Sequence, residues 1–372
     1  MKVPQFMPWV GQTEYREIAT CFKSNWITEG PKARVFKEKL LEIIGSKYAV
    51  LAPNGTLAIY LGLKALRVGP GDEVIVPDFT FIGSATAVEM CGATPVFVDV
   101  NRRNFQIDPT LIPPLITKKT RAIMPVHMYG TLVDMPAVVK IAKKYKLQII
   151  EDAAEAIGVH REGKHAGTFG EVGCFSFFAD KTITTAEGGL VVTDKAELYE
   201  RLLYLRNQGR IKSGTFIHPK IGYNLRMTDL QCAVGLAQLS KINQIIIRKK
   251  RILSLYQQQL KDIPGITFFA PDTTSEWIPF RVGILVNRAH ELMEYLQKKS
   301  IETRTFFYPL HRQPAFAYLK KQGYAKKMAD SRFPNSLFGS SHGVCLPTFP
   351  ALTSTQIHYV CKTIKQFLHD QK

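Results

Sequence analysis

Three stretches of this 372-residue chain bring together residue types that could do chemistry. In the first, Cys174-Phe175-Ser176-Phe177-Phe178-Ala179-Asp180-Lys181, an aromatic run delivers a lysine into the turn Thr182-Ile183-Thr184-Thr185-Ala186-Glu187-Gly188-Gly189. Lysines usually sit in water, so a threonine-rich, double-glycine turn behind an apolar strand is an odd setting for a surface charge. Apolar walls make a lysine amine give up its proton more readily, and a neutral amine is what imine chemistry requires. Ser176, five residues earlier, offers a hydroxyl to an anion held nearby. The second stretch, Pro53-Asn54-Gly55-Thr56, is a glycine-containing turn leading directly into a helix. Free N–H groups and the positive end of a helix hold phosphate without any charged side chain, although an N-cap of purely structural purpose reads the same way. The third, Glu151-Asp152-Ala153-Ala154-Glu155, follows a hydrophobic run. A carboxylate buried there is costly unless a cation or several donors meet it. A protonated pyridine nitrogen is such a cation, and a helix-capping aspartate is the alternative.

A repeated pattern positions these stretches. From about residue 48, short β-branched runs alternate with helical segments, which is how a parallel α/β sheet is written. The runs are 48–52, 73–77, 95–100, 122–127, 148–151, 174–178 and 190–193, and apolar residues recur with helical spacing over 56–67 and 135–146. Strands this apolar need helices on both faces. In such sheets ligands collect beyond the carboxyl ends of the strands, and each chemical stretch falls at one of those ends. A long helical stretch over 230–261 then leads to a part with a different texture, where ITFFAP, IPFRVGILV and IETRTFFYP read as strands mixed with helices, ending in an amphipathic helix over 355–369. The expectation is two domains, 1–250 with a mostly parallel sheet and 251–372 with a smaller α+β fold.

Composition narrows the function classes. Hydrophobic residues at 45% and charged residues at 22% exclude a disordered or fibrous chain. The net charge of +18 raises nucleic-acid binding, yet the basic residues are dispersed. Their densest clusters, Arg248-Lys249-Lys250-Arg251 and Lys118-Lys119 with Arg121, lack interleaved aromatics and read as solvated faces. A positive field equally suits a small substrate carrying a diphosphate. The N-terminus lacks the apolar segment of a signal peptide, and no run of about 18 apolar residues occurs, so a cytoplasmic protein with no membrane partner is expected. The six cysteines are scattered without metal-ligand spacing and read as buried free thiols.

Taken in order, NWITEGP (25–31), PNGTLA, PDFTFIGSATAVE, GATPVFVDV, VHMYG, EDAAEAIG, GTFGEVGCFSFFADKTITTAEGGLVVT, IGYNLRMTDLQCAVGLAQL, IETRTFFYPLH and LPTFPALT resemble the DegT/DnrJ/EryC1/StrS sugar aminotransferases over nearly the whole chain. Lys181 with Thr182-Ile183-Thr184-Thr185, Glu155 and Gly222-Tyr223-Asn224 are similar to the branch that makes GDP-perosamine. The resemblance implies a fold-type-I, aspartate-aminotransferase-like architecture and pyridoxal 5'-phosphate, passing through its pyridoxamine form. It implies that Lys181 holds the cofactor as an imine and shuttles protons, and that Asp152 pairs with the pyridine nitrogen. Gly55, Thr56 and Ser176 would bind the phosphate, Phe81 would stack on the ring, and Glu155 would lie near the ring hydroxyl or the sugar. Asn224 would reach the cofactor phosphate of a neighbouring subunit, making a homodimer the smallest active unit, and His218 and His311 would face the substrate. No metal is implied. Pro53 departs from the pattern, since relatives often carry serine there.

The reaction implied is transfer of an amino group from L-glutamate to a nucleotide-linked 4-keto-6-deoxy sugar. GDP-4-keto-6-deoxymannose, giving GDP-perosamine, comes first, and UDP- or dTDP-4-keto-6-deoxyglucose is the alternative. Family members that dehydrate at C3 carry histidine in place of the lysine, so Lys181 argues for amination. The rivals are an amino-acid aminotransferase of the same fold and a non-catalytic regulator or nucleic-acid-binding protein, which the charge motivates.

Overall fold

A computed structural model describes residues 1–210, 216–271 and 275–370. Seven strands form the larger sheet: β1 (Tyr48–Ala52), β2 (Glu73–Pro77), β3 (Thr94–Val98), β4 (Thr120–Ile123), β5 (Gln148–Asp152), β6 (Val172–Ser176) and β7 (Gly189–Thr193). Their order is β1-β7-β6-β5-β4-β2-β3, and β7 alone runs against its neighbours. The chain is therefore α/β with a mostly parallel sheet. Because both faces of these strands are apolar, both carry helices. One core takes Phe36 and Leu40 of helix Pro31–Ile44 and Val138 of helix Met135–Tyr145. The other takes Leu61 of helix Gly55–Ala65, Val88 of helix Gly83–Met90 and Leu202 of helix Ala196–Arg206.

Three of the β-branched runs extend past their strands. The sheet ends at Val98, Ile123 and Ser176, whereas the sequence pattern continues to 100, 127 and 178. Beyond the sheet, Val126 keeps one parallel bridge to Asp152 and, like Phe178, lines the cavity described below, so apolar character there also serves the cavity wall. The stretch 230–261 likewise divides into helices Asp229–Leu239 and Ile242–Leu260. Between them the Ser240 hydroxyl donates to the Ala237 carbonyl at 2.7 Å, a local bond that competes with helix continuation.

The C-terminal part is built on a four-stranded antiparallel sheet, β8 (Thr267–Phe268), β9 (Val282–Leu285), β10 (Arg304–Thr305) and β11 (Gly343–Leu346), ordered β8-β9-β11-β10. Helix Ser354–His369 packs on it, opened by a capping box between Thr353 and Gln356. Helix Ile242–Leu260 runs unbroken across position 250. Its early residue Ile245 belongs to a core of the larger sheet, and Ile252, Tyr256 and Leu260 belong to that of the smaller one. Val3 also joins the smaller core and bridges Ile301. An aromatic cluster containing Phe79, Phe105, Tyr129, Phe269 and Phe306 joins the two sheets beside the cavity. All six cysteines are free and buried. Among the described residues, no helix is long and apolar enough to cross a membrane.

Candidate active site

A cavity of about 460 Å³ opens beyond the carboxyl ends of β1, β2, β4, β5 and β6, closed on the far side by residues of the smaller sheet. Gly55, Thr56, Phe81, Asp152, Glu155, Ser176 and Lys181 all line it. They come together because each lies at or just after the end of a strand, where the chain leaves the sheet.

At the end of β1, Asn54 caps helix Gly55–Ala65, its Oδ1 accepting the Leu57 N–H at 2.9 Å. The cap leaves the N–H groups of Gly55 and Thr56 on the cavity side with no intrahelical partner. The helix start lies hard against the end of β6: a Cβ on Gly55 would be 2.8 Å from the Ser176 Cβ and 3.1 Å from its Oγ. Glycine is therefore required here for close approach, and it places a hydroxyl and a helix N-terminus around one point.

Asp152, the last residue of β5, is buried at 6% exposure. Its Oδ2 accepts the Ser84 hydroxyl at 2.7 Å, its Oδ1 accepts the Ala154 N–H at 3.1 Å, and Ser84 in turn lies 3.2 Å from the Thr80 hydroxyl. Glu151, one residue earlier, points to the other face of the strand. There His127 and the N–H groups of Gly167 and Gly170 bind it, so its role is structural.

The Lys181 amine lies 3.6 Å from Glu155 Oε1 and 4.6 Å from the centre of the Phe280 ring, with only 15% of its side chain exposed. Asp180, next in the chain, is engaged elsewhere: its Oδ2 pairs with Arg281 at 2.5 Å and with Arg304 at 3.5 Å. Glu155 accepts the Tyr129 N–H at 2.8 Å, which Tyr129 presents from a left-handed backbone with φ of 53°. Burial raises the Glu155 carboxyl above its ordinary value, and the charge of Lys181 and the Tyr129 N–H offset only part of that rise. The cavity thus offers an amine beside a reluctantly ionised carboxyl, a buried carboxylate and a helix N-terminus with a hydroxyl. That set suits a phosphorylated carbonyl compound with a basic ring nitrogen.

Of the remaining sequence expectations, Phe81 stays in the cavity, and Asn224, His218 and His311 fall outside its lining. Phe81 lines the cavity with 61% of its surface open, leaving a ring face free for stacking. Asn224 is exposed outside the cavity lining, its Oδ1 accepting from Arg226 at 3.1 Å. His218 is exposed, 2.7 Å from the Gln208 carbonyl. His311 does not line the cavity. It is buried between Asp78 at 2.8 Å and Asp330 at 3.0 Å and stacked on Phe333, which makes it a tie between segments and not a substrate contact within this subunit. The reading of Arg248-Lys249-Lys250-Arg251 as a solvated face fails at Lys249, which is buried at 2%.

Sequence reasoning missed Ser84, Tyr129, Phe280, Arg281 and Arg304 as members of the site. Ser84 lay within a quoted motif, but its hydroxyl acquires meaning only against Asp152, 68 positions away. Arg304 lies in the motif IETRTFFYPLH and Arg281 just before strand Val282–Leu285, and both acquire meaning only against Asp180, over 100 positions earlier.

Residues 8–365 match the model of the DegT/DnrJ/EryC1/StrS aminotransferase family. The chain is 39% identical to GDP-perosamine synthase of Escherichia coli O157:H7 and 36% identical to that of Vibrio cholerae, with 99% of both chains covered in each case. Among solved structures, DesV of S. venezuelae superposes with a TM-score of 0.90 at 30% identity over 98% of both chains. The PMP form of Spr1654 from Streptococcus pneumoniae superposes with a TM-score of 0.93 at 26% identity over the whole of both.

Proposed function

Because this chain belongs to the DegT/DnrJ/EryC1/StrS aminotransferase family and is a pyridoxal-phosphate-dependent aminotransferase, we propose that it converts GDP-4-keto-6-deoxymannose to GDP-perosamine with L-glutamate as amino donor. The observation that carries this reading is its end-to-end similarity to two enzymes named for that product. Its site is that of an enzyme, and the regulatory reading of the charge is set aside.

The donor set fits the cofactor. Asp152 is a buried carboxylate with a single side-chain donor, and the close contact of Gly55 with Ser176 forms a cradle for a phosphate. When bound, pyridoxal phosphate supplies an aldehyde that condenses with amines and a ring that accepts the electron pair released at a substrate carbon. Lys181 would be the covalent anchor, its amine lying between the Phe280 ring and the Glu155 carboxyl. Asp152 would hold a proton on the ring nitrogen, and Ser84 fixes the orientation of that carboxylate. The N–H groups of Gly55 and Thr56, with the hydroxyls of Thr56 and Ser176, bind the phosphate. Phe81 would stack on the ring. In the first half-reaction Lys181 removes the proton from the α-carbon of glutamate, and in the second it delivers one to C4 of the sugar. Glu155 stands beside it as a neighbour whose burial favours the protonated form. The exposure of Asn224 outside its own cavity supports its reaching the partner subunit's cofactor phosphate, in a cytoplasmic homodimer.

The test is to convert the purified holoenzyme to its amino form with glutamate, then offer GDP-, UDP- and dTDP-linked 4-keto-6-deoxy sugars and read the products by mass spectrometry. Amination of the GDP sugar is expected. Amination of only the UDP or dTDP sugar overturns the substrate assignment, and absence of 2-oxoglutarate after the first step overturns the donor.

A further inference from the structure

Lys249 is a buried cation for which the reaction described so far has no use. It lies on helix Ile242–Leu260, is 2% exposed, and among the described residues its amine hydrogen-bonds only the carbonyls of Pro279 and Phe280, at 3.5 and 3.3 Å. No carboxylate among the described residues lies within ion-pair distance of it, although lysines are almost never fully buried unless paired. Two features tie it to the active site. The Phe280 ring has the Lys249 amine 5.6 Å from its centre and the Lys181 amine 4.6 Å from the same centre, which puts the two nitrogens no more than roughly 10 Å apart. Lys181 and Lys249 also line one small cavity of about 20 Å³, with Asp180 and Thr182. Asp180 Oδ1 and Thr182 Oγ1 are both buried without a hydrogen-bond partner among the described residues. The space is enough for one water molecule, and its walls are polar.

We propose that Lys249 is a positioning residue behind Lys181: its proton, gained or lost in this enclosed polar space, sets the electrostatic field at the lysine–cofactor bond. The charged groups facing it are Arg281 and Lys181, which oppose its charge, and Asp180 and Glu155, which favour it. Burial and the two cations prevail, pushing the amine down to about 7, so it changes charge near neutral pH. A charged Lys249 opposes a proton on the nitrogen that joins Lys181 to the cofactor, and a neutral one does not. The inference rests on Lys181 being the cofactor anchor.

The experiment is a spectroscopic pH titration of the lysine–cofactor bond in substrate-free holoenzyme. It compares wild type with Lys249→Met and Lys249→Gln, which are neutral, and with Lys249→Arg, which is charged throughout. The neutral variants should titrate about one pH unit above the Arg variant, with wild type at or between them, as a unit charge at roughly 10 Å in a protein medium implies. A purely packing role would disturb stability and leave these midpoints together. Superimposable midpoints in the variants that fold overturn the proposal, and the Gln variant decides it if the Met variant does not fold. Failure of the anchor assignment looks different: the wild-type absorbance would then persist in Lys181→Ala.

Discussion

Replacing Gly55 by alanine isolates the contact on which the phosphate cradle depends. The new Cβ would lie 2.8 Å from the Ser176 Cβ, whereas ordinary carbon contacts begin at about 3.4 Å, so helix and strand end must separate by about 0.6 Å or more. The substitution brings two opposed effects on stability. Alanine is a better helix former than glycine by up to about 1 kcal/mol, and overpacking costs about 1–3 kcal/mol, leaving a net loss of about 0–2 kcal/mol. Binding should suffer more. Hydrogen bonds to a charged group contribute about 1.5–3 kcal/mol, and a shift of this size removes one of them, weakening cofactor affinity by about 10- to 150-fold. The assay is fluorescence titration of the apoenzyme with pyridoxal phosphate, alongside urea unfolding of the same apoprotein. An affinity within about twofold of wild type, together with measurable destabilisation, would refute the assignment of this helix end to the phosphate.

Lys181→Ala should abolish transamination and the visible absorbance of the bound cofactor, read by spectrophotometry and single-turnover assay, while the fold persists because the amine's nearest carboxylate is a single contact at 3.6 Å. Asp152→Asn keeps the shape that accepts Ser84 and should slow turnover by about 10- to 150-fold with little loss of stability, since the charge-assisted bond to the ring nitrogen is lost. Glu155 sets a pH dependence. Its carboxyl is raised above the usual 4.5 by burial, so the folded apoenzyme keeps that proton where the unfolded chain has lost it. The stabilisation is full below about 4.5 and lost as pH rises through the raised value, so the urea midpoint of Glu155→Gln should gain on wild type between acid and mildly alkaline pH.

Legibility in the sequence followed the range of the interactions. Strand runs, the helix start at Gly55 and the turn carrying Lys181 are local patterns, set by side-chain periodicity and turn chemistry within a few residues, and all are visible in the chain. The boundary at Ser176 was not, because Phe178 is apolar where it lines a cavity that the folded sheet creates. His311 shows the same limit from the other side. In the sequence it is a histidine within a family motif, and only the arrival of Asp78, 233 positions earlier, makes it a buried tie.

By itself the sequence determined the α/β class and the cluster at strand ends, which depend on residue types at short spacing, and its resemblance to known aminotransferases pointed to the family and the cofactor. Only the tertiary structure decided which groups face one another: Ser84 against Asp152, Glu155 against Lys181, Arg281 and Arg304 against Asp180, and Lys249 behind the anchor. Burial and charge proximity are properties of the assembled chain. Lys249 carries the same residue letter as its solvated neighbour Lys250, and its helix face alone puts it in the interior.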